Sequence, residues 1–381
     1  MSRPRLLILI SNGHFFLSHR LPIARAAQEA GFDVAIACPD DASHEVILAH
    51  GFDHIPFTMR RRGATIFSEL ATLIGMARAI HNVRPDVIHL VTSKPIIYGG
   101  LLARLLGIPA VSSISGLGYV FIGKGVKLAA MRTLVILGYR LSLSRSHSIA
   151  IFQNNSDLSL FQKLGILKRG RFRLVPGSGV DLNAIRPTPL PNGPTVVVLP
   201  ARLLRDKGVL EFVEAARILR GEGVDCIFRL VGDPDPGNPT SITDDELAAW
   251  QAEGVVEHRP YTRDIGGELA QCHIVALPSY REGFPKTLID AAAASRACAT
   301  SDVPGCRDAI VPGETGILFP PRDSKAMAEA IRPLIASRQW QAKMGHSARA
   351  HAEAHFAIAD VVRQNLAIYR ELLSANGLRS P

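Results

Sequence analysis

The sequence predicts an α/β protein with two successive units, each a doubly wound parallel sheet flanked by helices. The first observation behind this prediction is that short apolar runs alternate with helical patterns along most of the chain, which is the arrangement of β-α-β units. The second is the length of 381 residues, which is too great for one hydrophobic core. The third is a proline-rich segment near the middle of the chain that separates the two sets of runs.

The first half of the chain contains five predicted strands. They are residues 6–10, 33–38, 87–91, 110–114 and 147–152. The first of these runs follows a short basic terminus and ends in polar residues 11–14 without a small-residue cleavage site. We therefore interpret it as a strand and not as a signal peptide.

The proline-rich segment, residues 186–194, contains four prolines and one glycine and is the predicted linker. Five further strands are predicted after it. They are residues 195–199, 226–231, 255–258, 274–277 and 317–319. The pattern from residue 356 to residue 373 predicts one long helix at the end of the chain.

The composition excludes several classes of protein. Hydrophobic residues make up 47% of the chain and charged residues 20%, which excludes a disordered chain. The five cysteines have no C-x-x-C spacing and predict neither a zinc site nor a disulfide framework, as expected in a reducing cytosol. No apolar run reaches the roughly 18 residues that a membrane-spanning helix needs.

The positive charge is concentrated in the first half of the chain. Residues 1–185 contain 21 basic and 10 acidic residues, whereas residues 186–381 contain 22 and 24. This predicts an anionic partner, and no nucleic-acid-binding signature accompanies it. Residues 124–145 combine leucines with five cations, which is typical of a helix on an anionic lipid surface; a buried helix with a solvated basic face fits that segment equally well. The five cations are Lys124, Lys127, Arg132, Arg140 and Arg145.

Two acidic residues flank a Gly-Phe-Pro turn after the predicted strand 274–277. Glu282 precedes Gly283, Phe284 and Pro285, and Asp290 lies in the helix predicted after the turn. Glu282 is expected at the carboxyl end of its strand, which is where open α/β sheets bind ligands. Asp290 is expected on a helix face that turns toward the same edge.

A second candidate segment follows the predicted strand 195–199. It contains Arg202 and Lys207, and a helical pattern begins near Val209. Two cations beside a helix N-terminus favour an anionic ligand, because free N–H groups and the helix dipole act in the same sense. A cation pair together with an acid pair predicts a nucleotide-sugar site.

With these residues the chain resembles the retaining glycosyltransferases of family 4, and the resemblance extends over nearly the whole chain. Residues 177–181 (GSGVD) also match the segment that closes the N-terminal domain of that family. The resemblance implies a GT-B fold, in which two Rossmann-like domains face each other across a cleft and the last helix crosses back to the first domain. The implied domains are residues 1–185 for the acceptor, a linker at 186–194, residues 195–355 for the nucleotide sugar, and the returning helix at 356–381.

The resemblance also assigns roles to the matched residues. It places Arg202 and Lys207 on the donor diphosphate, Glu282 on the donor sugar and Asp290 on the ribose, where the family has glutamate. It implies transfer with retention, no metal and no cofactor beyond the sugar donor. Other residues are expected to line the donor pocket through their backbone. They are Gly13, Gly232, Gly283, Phe284 and Pro285.

Candidate acceptor residues lie in the first half of the chain. They are His14, which follows the first strand, Lys94 in a Ser-Lys-Pro segment, and Ser115 in residues 113–119 (SISGLGY). These segments resemble the subgroup that extends bacterial lipid-linked surface glycans, such as those of lipopolysaccharide or capsule. Many family members have a histidine near Ser115, and this chain has none there. An Asp-Pro-Asp sequence at 233–235 is interpreted as a rigid turn and not as a metal-binding D-x-D.

The predicted function is therefore transfer of a hexosyl or N-acetylhexosaminyl group from a nucleoside-diphosphate sugar, with UDP as the expected nucleotide. The predicted acceptor is a glycan or a polyprenyl-diphosphate-linked glycan. Together with the family resemblance, the basic first domain predicts contact with an anionic membrane surface, so the predicted location is cytoplasmic, with peripheral association to the inner face of the plasma membrane. Two alternatives remain open at this point: a nucleotide-sugar isomerase resembling the 2-epimerases, and a non-catalytic scaffold. A Rossmann oxidoreductase is disfavoured, because neither half contains G-x-G-x-x-G with a downstream acid.

Overall fold

The computed structural model describes residues 3–60, 65–116, 121, 125–144, 147–167, 171–378 and 381. The chain divides into two compact units. One consists of Met1–Ser178 together with Ala359–Pro381, and the other is Gly179–Ile358. Each unit has its own sheet, with seven strands in the first and six in the second among the residues described.

The first unit is a parallel sheet with helices between its strands. The strands are β1 (Arg5–Ile10), β2 (Asp33–Cys38), β3 (Asp53–Pro56), β4 (Val87–Val91), β5 (Ala110–Ile114), β6 (Ser148–Phe152) and β7 (Arg171–Leu174). The helices are α1 (Gly13–His19), α2 (Leu21–Glu29), α3 (His44–Ala49), α4 (Ile66–Val83), α5 (Gly100–Leu106), α6 (Val126–Leu143) and α7 (Asn155–Lys163), and a π-helix (Pro95–Gly99) follows β4. The strand order is β3-β2-β1-β4-β5-β6-β7, so the direction of winding reverses between β1 and β4.

The second unit repeats this arrangement. Its strands are β8 (Thr195–Pro200), β9 (Cys226–Val231), β10 (Glu257–Arg259), β11 (Ile274–Leu277), β12 (Ala297–Ser301) and β13 (Gly316–Phe319). Its helices are α8 (Val209–Gly221), α9 (Asp244–Ala252), α10 (Ile265–Ala270), α11 (Lys286–Ala293), α12 (Ser324–Ala336) and α13 (Arg338–His355). The strand order is β10-β9-β8-β11-β12-β13, with the reversal between β8 and β11.

The last helix, α14 (Ile358–Ala375), belongs almost entirely to the first unit. The Tyr369 hydroxyl on this helix lies 2.6 Å from Nδ1 of His89, a fully buried residue of β4. Glu371 accepts a hydrogen bond of 2.7 Å from Arg171 on β7. These contacts tie the end of the chain to the sheet formed by its beginning, as the predicted fold class requires.

The structure contains three strands that the sequence analysis did not predict. β3 is a four-residue strand at the edge of its sheet, and β7, at the other edge, has the basic sequence RFRL. β12 lies inside its sheet and is fully buried, but its sequence ACATS has only small side chains. Sequence patterning misses it because small residues do not produce an apolar run.

None of the helices in the described part of the chain is both long enough and apolar enough to cross a membrane.

Candidate functional site

The candidate site of the second unit lies at the carboxyl edge of its sheet, where the winding reverses. β8 and β11 are parallel neighbours there, with Val197 paired to Ile274 and Val198 paired to Val275. Their connections leave in opposite directions, and open α/β sheets bind ligands beyond the strand ends at such a point. The loop after β8 contains Arg202 and Lys207, and the loop after β11 contains Glu282.

The two loops touch each other directly. Lys207 ends a single 3-10 turn, and Gly208 follows it with φ of 75°. A Cβ atom at Gly208 would lie 2.7 Å from the Cβ of Pro278 and still closer to its backbone, so only glycine fits at this contact. The Tyr280 N–H also donates to the Asp206 carbonyl at 2.9 Å. The loop after β8 is therefore held against the loop after β11.

This contact brings Lys207 and Glu282 together. The Lys207 ammonium lies 2.5 Å from Oε1 of Glu282, and the Ser279 hydroxyl donates to the same oxygen at 2.7 Å. The Glu282 side chain is 12% exposed. Gly305, with φ of 82°, packs so closely on the backbone of this segment that a Cβ would lie 2.6 Å from the Glu282 carbonyl oxygen. The pair is thus positioned by backbone contacts on both sides.

The Gly-Phe-Pro turn connects Glu282 to α11. The Phe284 side chain is buried and meets Phe356 edge to face, with ring centroids 5.4 Å apart. Pro285 is the N-cap residue of α11, and the Thr287 hydroxyl donates to the carbonyl of Pro200, the last residue of β8, at 3.0 Å. The turn is consequently anchored by the core on one side and by β8 on the other. Because its side chains are engaged in this way, the turn can line a pocket, as predicted, only through its backbone.

Asp290 is buried within α11. Its carboxylate accepts a hydrogen bond of 2.6 Å from Lys286, one turn earlier. Burial raises the pKa of Asp290, and the neighbouring Lys286 ammonium opposes that shift. Asp290 and Lys286 therefore form a second lysine–carboxylate pair, distinct from the pair formed by Lys207 and Glu282.

Arg202 lies in the same loop as Lys207 but has another partner. Its guanidinium donates to Asp235 at 2.9 Å, and its side chain is 59% exposed. Gly232, with φ of 139°, packs so tightly that a Cβ would overlap the Ala201 carbonyl. The Asp-Pro-Asp segment after Gly232 therefore lies beside the Arg202 backbone, with Asp235 engaged in an ion pair.

In the first unit the winding reverses between β1 and β4, and several predicted residues lie near that edge. Gly13 begins α1, and a Cβ there would lie 2.7 Å from the Cβ of Ser43. The lack of a side chain at Gly13 therefore makes room for the loop that contains Ser43. His14 is exposed, and it is the Asn12 side chain that caps α1, by accepting from the Phe15 N–H at 2.7 Å.

Lys94 follows β4 and is engaged by the protein. Its ammonium donates to Glu69 at 2.6 Å and to the Arg60 carbonyl at 2.9 Å. Thr92, just before it, has φ of 74°, a strained value for a β-branched residue, and its hydroxyl donates to that of Ser11 at 2.8 Å. This hydrogen bond joins the loops after β1 and β4. Ser115 is half-buried after β5, and residues 117–120 of its predicted segment lie outside the described residues.

Several residues that shape the site were not predicted from the sequence. Lys286 lies four positions before Asp290 on α11, so helical spacing could have indicated this contact. Ser279 lies three positions before Glu282 in a loop, where spacing carries no such signal. The contact of Gly208 with Pro278 joins residues 70 positions apart in the sequence and depends on the pairing of β8 with β11. No local sequence signal carries that information.

Comparison with protein families gives two matches. The model described as glycosyl transferase 4-like matches residues 5–154. The model described as glycosyl transferases group 1 matches residues 194–337, which include Arg202, Lys207, Glu282 and Asp290. The matched ranges lie one in each structural unit.

Individual relatives agree with these matches. The N,N'-diacetylbacillosaminyl-diphospho-undecaprenol α-1,3-N-acetylgalactosaminyltransferase of Campylobacter jejuni is 28% identical over 355 residues, which cover 87% of this chain and 92% of the relative. A sucrose-phosphate synthase from Thermosynechococcus elongatus superposes with a TM-score of 0.81 at 19% identity, covering 98% and 100% of the two chains. Anabaena HepE, in complex with UDP and glucose, has a TM-score of 0.77 at 18% identity, covering 97% and 99%. The structural matches confirm the predicted GT-B fold.

Proposed function

We propose a function on the premise that this chain belongs to the family 4 glycosyltransferases. The model described as glycosyl transferase 4-like matches its first half, and the model described as glycosyl transferases group 1 matches its second half. The proposed reaction transfers a sugar from a UDP-sugar, with retention, to the glycan of a polyprenyl-diphosphate-linked acceptor. The observation that carries this proposal is the contact between Lys207 and Glu282 at the winding reversal of the second sheet. A cation and a hydrogen-bonding acid meet there at the sheet edge where nucleotides bind.

In the proposed donor complex, Lys207 pairs with the diphosphate and Arg202 supplies a second cation. Charge grows on the diphosphate as the glycosidic bond breaks, and positioned cations at that point lower the barrier. Both loops are anchored to the sheet, so the cations need little rearrangement during the reaction. We expect Asp290 to accept hydrogen bonds from the ribose hydroxyls.

Glu282 is proposed to orient the donor sugar by accepting hydrogen bonds from its hydroxyls. Its present partners are a lysine and a serine, which marks it as a hydrogen-bond acceptor in a polar setting. For retention we propose attack on the same face that the diphosphate leaves. The acceptor oxygen bonds to the anomeric carbon, the bond from that carbon to the phosphate oxygen breaks, and the acceptor proton moves to the departing diphosphate.

The acceptor proposal is supported by the name of the Campylobacter relative, which specifies a sugar on diphospho-undecaprenol. A lipid-linked substrate requires contact with a membrane. The first unit offers a surface for this, because the predicted helix within residues 124–145 is α6, whose Met131, Leu134, Leu137 and Leu141 are exposed. Lys124 and Arg145 lie outside the described residues, as does the side chain of Lys127. We propose that α6 rests on the anionic cytoplasmic leaflet, and that the protein takes part in assembling a surface glycan.

A product assay tests the proposed function. Purified protein is incubated with a panel of UDP-hexoses and UDP-N-acetylhexosamines, with and without an undecaprenyl-diphosphate-linked sugar, and products are analysed by mass spectrometry and NMR. The expected result is an extended lipid-linked glycan with retained anomeric configuration. We expect Lys207→Ala and Glu282→Gln to lower the rate about 10²-fold or more, and the exposed-site variant Lys343→Ala to leave it unchanged.

The same assay separates the alternatives. An isomerase would produce a new UDP-sugar without any acceptor, and a scaffold would leave every donor intact. Either outcome would contradict the proposed transfer.

A further inference from the structure

A cluster of side chains in the first unit lies apart from the donor residues. It consists of Asp40 after β2, His44 at the start of α3, and His54 on β3. One ligand atom from each lies within 4.8 Å of the others. We propose that this cluster binds a divalent transition-metal ion, with Zn²⁺ as the best fit. This inference is independent of the proposed transferase function.

Hydrogen bonding at Nε2 orients the His54 ring so that Nδ1 faces the rest of the cluster. Its Nε2 lies 3.3 Å from the Cys38 carbonyl oxygen and 3.2 Å from the Cys38 Sγ. The carbonyl can only accept, so the tautomer that donates to it carries its hydrogen on Nε2. Nδ1 of His54 is then an unprotonated lone-pair donor. A histidine that ligates a metal commonly makes this arrangement, with the distal N–H given to a backbone carbonyl.

That lone pair faces a second ring nitrogen. Nδ1 of His44 lies 2.6 Å from Nδ1 of His54 and 3.9 Å from Oδ1 of Asp40. His44 can satisfy His54 as an Nδ1–H donor. When His44 is in its other tautomer, two imidazole lone pairs and a carboxylate converge, and a cation is the partner that satisfies all three.

The ligand set determines which metals fit. Two imidazoles and one carboxylate are suited to Zn²⁺ and similar transition ions, whereas Mg²⁺ and Ca²⁺ prefer oxygen ligands. Zinc bonds of about 2.0–2.1 Å in a tetrahedral arrangement separate two nitrogens by about 3.3 Å. The two imidazoles therefore need to move apart by less than about 1 Å. Because Asp40 lies at the surface, water can reach the bound ion and complete its coordination.

The metal would cross-link three consecutive elements of the unit. Its ligands come from the loop after β2, the start of α3 and the edge strand β3. Ser43, in the same loop, packs against Gly13. Binding is thus expected to stabilise the first unit and to fix the β2–α3 loop against the start of α1.

Calorimetric titration with ZnCl₂ tests the proposal, on untagged protein stripped of metal by a chelator. The expected result is one zinc ion per chain and, since ligand binding stabilises the folded state, a higher melting temperature that EDTA reverses. Asp40→Asn and His44→Asn should each raise Kd by about tenfold or more. Both positions are exposed or half-buried, so these variants are expected to fold. Binding of Co²⁺ should give visible absorption bands, and excess Mg²⁺ should not displace zinc.

The matched control is the double variant His351→Asn/His355→Asn. It removes two histidines of α13, in the second unit, whose ring centroids lie 4.6 Å apart. It should bind zinc as the wild type does. The proposal is overturned if the wild type binds zinc no more tightly than Asp40→Asn and His44→Asn, or if only the α13 variant loses binding.

Discussion

At the scale of residues, two lysine–carboxylate pairs near the same sheet edge have different surroundings. Lys207 and Glu282 bridge two loops and remain partly exposed to solvent. Lys286 and Asp290 lie one turn apart on α11, and the Asp290 side chain is only 6% exposed. The first pair is therefore accessible from solvent, whereas in the second the carboxylate is held in an environment that disfavours its charge.

The buried carboxylate of Asp290 leads to a prediction about pH. Burial raises the pKa of Asp290 in the folded state. The protonated carboxyl therefore contributes to stability below its ordinary pKa of about 3.9, and this contribution is lost as pH rises through the pKa of the folded state. Asp290→Asn should therefore raise the free energy of unfolding at pH 7, and this gain should shrink toward pH 4. Urea denaturation of both proteins at the two pH values measures it. Equal gains at both would show that the carboxylate charge is not the cause.

The candidate residues of the loops after β8 and β11 were predicted from the sequence, but their contacts were not. Arg202, Lys207 and Glu282 follow strands that were recognised from apolar runs. Their partners were not predictable in the same way: Asp235 and Ser279 contact them through loop geometry. Lys94 shows the same limit, because Glu69 approaches it from α4, 25 positions earlier.

At the scale of elements, the layer formed by α4, α6 and the π-helix has an unusual surface. Both α4 and α6 pack on the π-helix, and both have large apolar side chains exposed to solvent. On α4 the exposed residues include Ile66 and Phe67, at 86% and 83%. Exposed apolar side chains next to an excess of basic residues are typical of a surface that binds anionic lipid.

This surface predicts membrane binding that depends on α6. The double variant Leu134→Ser/Leu137→Ser should lose most of its binding to vesicles containing anionic phosphatidylglycerol, because it removes apolar area at residues 70% and 50% exposed. Flotation of the vesicles measures the bound fraction. Leu48→Ser, on α3, is the matched control and should bind as the wild type does. If both variants bound equally well, α6 would not be the contact surface.

The elements also show what patterning can predict. Ten strands were predicted from apolar runs, and each corresponds to a strand of the structure within a few residues, the largest shift being 255–258 for β10 (Glu257–Arg259). The buried strand β12 was missed because its side chains are small. The winding reversals between β1 and β4 and between β8 and β11 depend on strand pairing, which the local sequence does not encode.

At the scale of the whole molecule, each unit is a complete doubly wound sheet, and the proline-rich segment is anchored to the second unit. The buried Arg296 donates to the Thr188 carbonyl at 2.8 Å, and His273 lies 2.9 Å from the Pro191 carbonyl. The return of α14 to the first unit was implied by the family resemblance, since no local pattern indicates where a terminal helix packs. The anchoring of the segment depends on buried side chains 82 or more positions away.

The donor proposal is tested most directly by nucleotide-dependent thermal stability. Melting temperatures are measured for the wild type, Lys207→Ala and the exposed-site control Lys343→Ala, each with UDP, GDP or NAD at equal millimolar concentration. Binding to the folded state raises the melting temperature by mass action. We predict a rise with UDP in the wild type and in Lys343→Ala, and its loss in Lys207→Ala. A rise with NAD alone, or an equal rise with UDP in Lys207→Ala, would contradict the assignment of the diphosphate to this lysine.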